Sequence, residues 1–133
     1  MFDFEAMKKI YAECVNKDVW VITAKRKINR NGRIYAKRNE LEVYLGTIND
    51  IRIGEYGYVD GKAYATAEAN VSLRFPLEYN GRVREQYVND GYVPLNVRCF
   101  ATEEEARNEL ALMSTRTAHE QRLLEAKQLE ASV

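Results

Sequence analysis

The stretch Lys62-Ala-Tyr-Ala-Thr-Ala-Glu-Ala-Asn-Val-Ser-Leu-Arg-Phe75 decides the fold. Its odd positions are Ala63, Ala65, Ala67, Ala69, Val71, Leu73 and Phe75, while its even positions are polar or hold Tyr64 and Arg74. Successive side chains of a strand point to opposite faces, so this alternation describes a strand with one apolar side. Alanine favours helix. At 3.6 residues per turn, however, the odd positions would spread around the whole helix and leave no apolar side. The four inward alanines also leave a shallow groove where a helix can approach the sheet closely. Bulky side chains are then expected from the helix, from Met7, Ile10 and Tyr11 or from Leu110 and Met113.

Turn signals flank this strand. Asn31-Gly32, Asp60-Gly61, Asn80-Gly81 and Asp90-Gly91 suit the positive φ of tight hairpin turns, and Asn49-Asp50 reads as a further turn. Strand signals lie between them, in Val19-Trp20-Val21-Ile22, in Leu41, Val43 and Leu45, in Ile51 and Ile53, and in Tyr92 to Phe100. Hairpins in series build a meander, not a parallel sheet with helical crossovers.

Helical patterns close both ends. Phe4, Met7, Ile10, Tyr11, Cys14 and Val15 recur at three- and four-residue spacing behind Asp3, a suitable N-cap. Thr102-Glu103-Glu104-Glu105 is a capping box whose carboxylates suit the positive end of a helix dipole. Ala106, Leu110 and Met113 follow on one face. The pattern weakens at Ser114-Thr115, and beyond it Leu123, Leu124 and Leu129 form only a thin stripe.

The expectation is a single α+β domain over residues 1–133. About six antiparallel strands form a meander over about 19–100. It packs against an N-terminal helix over about 3–16 and a longer C-terminal helix over about 103–130. That last helix either projects and pairs with a second copy or turns near 114 and folds back. In the self-associating case, residues 116–133 are dispensable for folding.

The chain has 133 residues, 46% of them apolar and 30% charged, which supplies one core and excludes a disordered polymer. Its longest apolar runs are four residues, too short to span a membrane, and Met1 to Lys9 do not read as a secretory signal. Cys14 and Cys99, far apart and in apolar contexts, read as reduced thiols of a cytoplasmic protein.

No chemical motif survives inspection. A P-loop is absent, and Gly54-Glu-Tyr-Gly57 lacks the third glycine of a dinucleotide fingerprint. Cys14, Cys99 and His119 cannot form a zinc set at ligand spacing, and His119 lies in the polar part of the last helix, remote from a nucleophile. Asp60 and Glu68 with Lys62 loosely resemble an acidic nuclease set, but eight residue steps along the strand separate the two carboxylates by roughly 25 Å. The sequence therefore points away from an enzyme, with no cofactor or metal expected.

Binding surfaces are better supported. Lys17 to Arg38 carries eight basic residues against Asp18 alone, a net of +7, although the whole chain is neutral. Seven glutamates against four basic residues give Glu103 to Glu130 a net of −3. Such asymmetry can steer a charged partner. One candidate surface is the basic hairpin, with Lys25, Arg26, Lys27, Arg30, Arg33, Tyr35, Lys37 and Arg38. The other is the outer sheet face, with Tyr44, Tyr56, Tyr58, Tyr64 and Arg74, because exposed tyrosine is a good contact residue. A protein partner is the favoured reading. The alternative is nucleic acid along the basic hairpin with Tyr35 stacking on a base, which the neutral net charge disfavours. Signatures of RNA-recognition, cold-shock and KH domains are absent. The short, motif-free, hairpin-rich character resembles small phage or mobile-element accessory proteins, including inhibitors of bacterial defence systems. The function expected is therefore that of a non-catalytic inhibitor or adaptor.

Overall fold

Among the described residues the sheet has five strands where about six were expected: β1 (Asp18–Ile28), β2 (Ile34–Val59), β3 (Lys62–Tyr79), β4 (Arg82–Pro94) and the short β5 (Cys99–Phe100). All neighbours are antiparallel, in the order β4-β3-β2-β1-β5, and the sheet curls into a half-barrel. Among the described residues two helices, α1 (Glu103–Met113) and α2 (Ala118–Ala131), complete an α+β architecture. The structure, a computed structural model, describes residues 9, 11–59 and 62–131, and places the side chains of these except 55–59, 62–64 and 126–131.

The strand count fell because two turn signals serve another purpose. Asn49-Asp50 lies inside the 26-residue β2, where the ladder to β3 shifts register between Ile48 and Asp50. Asp90-Gly91 lies inside β4 as a bulge opposite Asn70–Ser72. Gly91 has φ +75°, and its amide donates to Asn89 Oδ1 at 2.9 Å. The left-handed residue is real, and it bends a strand instead of reversing it. Asn80-Gly81 is a true two-residue hairpin turn with φ of 53° and 75°. Asn31-Gly32 belongs to a five-residue connection in which Asn29 Oδ1 accepts from the amides of Asn31 and Arg33. Residues 60–61 lie outside the described residues, and β2 and β3 pair as far as Val59 and Lys62.

The alternation of the deciding strand holds. Ala65, Ala67, Ala69, Val71 and Leu73 are fully buried, in one cluster with Val21, Ile48, Ile51, Phe75, Val93 and Leu95. β1 is apolar at consecutive positions because both of its faces are covered. Val21 points into the main cluster, while Ile22 joins Val43 and Ala106 in a second cluster with Trp20, Phe100, Leu110 and Met113. The second cluster is the docking site of α1. Leu110 and Met113 therefore do not fill the alanine groove, and the helix lying against β3 is α2. Small side chains permit that close approach.

The C-terminal segment is broken near 114 and folds back. Ser114 Oγ and Thr115 Oγ1 donate to the carbonyls of Ala111 and Leu112, which ends α1. Thr117 then caps α2, its Oγ1 accepting from the amide of Glu120 at 3.1 Å. In the N-terminal region, Phe4, Met7, Ile10 and the cap Asp3 lie outside the described residues. What is described is a 3-10 turn at Ala12–Cys14, with Tyr11, Cys14 and Val15 against the main cluster.

Two hairpin arms emerge from this sheet. The β2–β3 ladder is tight where it is formed: a Cβ on Gly46 would lie 2.6 Å from Val71 Cγ1, so no side chain fits there. The ladder ends at Leu45 and Arg74, although β2 begins at Ile34 and β3 runs to Tyr79. Pro76 supplies a physical reason. It pairs with Glu85 at a position that leaves its nitrogen on the β2 side, and that nitrogen has no hydrogen to donate. Hairpins β1–β2 and β3–β4 separate beyond this point and meet again at their tips. There the Tyr79 hydroxyl donates to the Arg30 carbonyl at 2.9 Å, and the Tyr79 ring lies over Gly32.

Candidate functional site

The space between the arms is the candidate site. Near the tips it is a cleft of about 570 Å³ with a floor of Ile28, Ile34 and Leu77, flanked by Tyr79, Arg82 and Arg84. It adjoins a second cleft of about 510 Å³ through the shared residue Ile34, with Tyr35, Arg38 and Asp90 on its wall.

A buried ion pair holds the second cleft. The side chains of Arg26 and Asp90 are each only 6% exposed, and Arg26 Nη2 pairs with Asp90 Oδ1. Thr23 Oγ1 donates to Asp90 Oδ2 at 2.7 Å, and Arg26 Nη1 donates to the Ala24 carbonyl at 2.6 Å. The bulge at Asn89–Gly91 carries Asp90 to this place, so β4 reaches β1 across two intervening strands. Burial lowers the pKa of the guanidinium, which nevertheless stays charged. Arg26 is therefore a strut between the arms and offers no charge to a partner.

The other residues of the basic hairpin divide by position. Lys25 and Lys37 both approach Glu40, at 3.9 and 2.5 Å. The hydrogen bond between Lys37 and Glu40 holds the ammonium above its ordinary pKa and the carboxyl below its own. Lys27 and Tyr35 are paired across β1 and β2 on the same side as Lys25 and Lys37. Arg30 and Arg33 are exposed at the turn, and Arg38 is exposed where the β1–β2 register shifts.

A contrast among arginines singles out this end of the molecule. Arg26, Arg52, Arg74, Arg98, Arg107 and Arg116 each pair with a carboxylate. Among the described residues Arg30, Arg33, Arg38, Arg82 and Arg84 make no ion pair, and all five belong to the two arms. The sequence reading found the first three. It missed Arg82 and Arg84 because only the fold brings β4 opposite the basic hairpin. Their alternation with Val83 in a strand flanked by Asn80-Gly81 was the available signal.

Of the expected outer tyrosine face, one member departs from expectation. Tyr44 turns inward. Its ring meets Phe75 at 4.9 Å between centroids, its hydroxyl accepts the Arg26 amide at 2.7 Å, and burial raises its pKa. Leu41, Val43 and Leu45 made Tyr44 look outward, but Val43 faces α1 and its neighbour faces the other core. Tyr56, Tyr58 and Tyr64 have side chains outside the described residues. Arg74 is partly exposed and already bonds Asp18 and Glu85. Among the described residues the most exposed large apolar side chains are Val83 at 66% and Tyr87 at 72%, both on β4.

Of the weighed catalytic residues, those described are placed as follows. Glu68 pairs with Arg52 at 3.0 Å, and Asp60 lies outside the described residues. Cys14 and Cys99 line one cavity, but burial pushes the Cys99 thiol up to about 12, far from a nucleophile's range. Among the described residues no three His, Cys, Asp or Glu side chains gather as a metal requires, and no helix is long and apolar enough to cross a membrane. Comparison with protein-family models, with curated proteins and with solved structures finds no match to this chain.

Proposed function

We propose that this chain is a non-catalytic binding module that docks its arm end onto an acidic surface of a protein partner, as an inhibitor or adaptor. The observation that carries this reading is the gathering at one end of the molecule of five arginines that make no ion pair among the described residues, where six other arginines each pair with a carboxylate. An unpaired arginine fork is a ready partner for a carboxylate or a phosphate. Protein is favoured over nucleic acid because the cleft floor is aliphatic. Tyr35 and Tyr87, which a base could stack on, lie on separate arms and form no row.

The triple variant Arg30→Glu, Arg33→Glu, Arg38→Glu tests this reading. Its melting temperature should stay close to that of the parent, since all three side chains are exposed. Capture of the protein partner should fall, and fall more at low salt than at high salt, because exposed charges are screened beyond about 10 Å at 0.1 M. Capture should survive nuclease treatment. Loss of the bound partner on nuclease treatment, with a salt-dependent gel shift, would transfer the arm end to nucleic acid.

A further inference from the structure

We infer that β4 is a receptor strand, and that the partner adds to its free edge an extended segment with acidic residues at alternate positions. This rests on the reading of an acidic protein partner and specifies how that partner is held. Among the described residues β4 ends the sheet, with no strand beyond it. Tyr79 and Arg82 flank a two-residue turn, so they form a hydrogen-bonded pair, and such pairs alternate along the ladder. Val83, Glu85 and Tyr87 therefore direct their amides and carbonyls away from β3. Among the described residues those groups make no backbone hydrogen bond outside the ladder.

The side chains of β4 state what should lie beside it. Arg82 and Arg84 face the cleft, with Gln86 beyond them. On the opposite face Val83 and Tyr87 are the most exposed large apolar side chains of the sheet among the described residues. Residues directly opposite in an antiparallel pair share a face and interact. A segment laid antiparallel to β4 would set carboxylates against Arg82 and Arg84 and apolar side chains against Val83 and Tyr87. The main chain would supply affinity and the alternating pattern specificity. Charge disfavours a second copy of β4 as the occupant. Pairing centred on Glu85 sets two glutamates face to face, and pairing centred on Arg84 sets two arginines.

The probe is an end-capped, fluorescein-labelled heptapeptide, Thr-Val-Glu-Thr-Glu-Val-Glu, read by anisotropy against the full chain. Saturable binding is expected. It should weaken at least about tenfold in Arg82→Glu/Arg84→Glu. A similar loss is expected in Glu85→Pro, which removes an edge donor and leaves the bonds to β3 intact. A copy of the peptide N-methylated along its edge-facing amides should lose binding to the unaltered protein, which keeps the test valid if Glu85→Pro does not fold. Equal binding of the N-methylated peptide, or a concentration-dependent dimer that Glu85→Pro abolishes, overturns the inference. If Arg30→Glu, Arg33→Glu, Arg38→Glu impairs capture of the partner while the edge variants do not, the acidic partner stands and only the edge is wrong.

Discussion

Asp90→Ala should lower the unfolding free energy by about 3–5 kcal/mol, the cost of leaving a buried charge without its partner. Arg26 would then hold its guanidinium at 6% side-chain exposure with only the Ala24 carbonyl as an acceptor. The hydroxyl of Thr23 would lose its acceptor as well. The ion pair itself contributes less than this figure, because bringing two charges out of water costs several kcal/mol per ion. The double variant Arg26→Met/Asp90→Leu should therefore recover most of the loss. Urea denaturation of the parent, the single and the double variants provides the check. A loss below about 1 kcal/mol in Asp90→Ala would mean that water reaches the arginine and that the arms are not held by this contact.

Truncation after Thr115 should also cost more than about 3 kcal/mol. The C-terminal stripe of Leu123, Leu124 and Leu129 is thin, and a dispensable tail was expected only for a projecting, self-associating segment; α2 instead follows the folded-back alternative. α2 lies against β3, the strand whose alanines are fully buried, and brings Glu125 to Arg98 at 3.2 Å. Glu125 is 7% and Arg98 20% exposed at the side chain. Removing the helix leaves that arginine unpaired and opens one side of β3 to water. A lower denaturation midpoint, with a smaller dependence of free energy on denaturant, is the expected result. A truncated chain as stable as the parent would show that α2 rests on the sheet without stabilising it.

The parts of this fold that were legible in the sequence are those governed by local rules. Alternation from Lys62 to Phe75, the Asn80-Gly81 turn, the Thr102 cap and the helical face of Ala106, Leu110 and Met113 all depend on spacing within a few residues. Thr117 with Glu120 repeats the signal of Thr102 with Glu105 and was equally readable. Asp90-Gly91 misled because a left-handed glycine fits a bulge as well as a turn, and only the partner strand distinguishes them. Arg26 and Tyr44 were assigned to surfaces because neighbouring residues are charged or alternate with apolar ones. Their burial comes from Asp90 and Phe75, which are 64 and 31 positions away in the chain. The basic arm was half legible for the same reason: Arg30, Arg33 and Arg38 announce themselves locally, while Arg82 and Arg84 acquire their meaning from the curl of the sheet.

The strand order also sets a sequence of events in time. The ladders β1–β2, β2–β3 and β3–β4 join chain neighbours, so each hairpin can close a short loop early. The pairing of β5 with β1 and the Arg26–Asp90 contact join residues far apart in the chain, 64 positions for Arg26 and Asp90, and must wait until the meander exists. Contacts absent from the rate-limiting barrier act on the reverse reaction. Weakening the clasp at Asp90 should thus shorten the lifetime of the native state while leaving the refolding rate nearly unchanged. The bulge that delivers Asp90 is in this sense a latch, closed last and opened first.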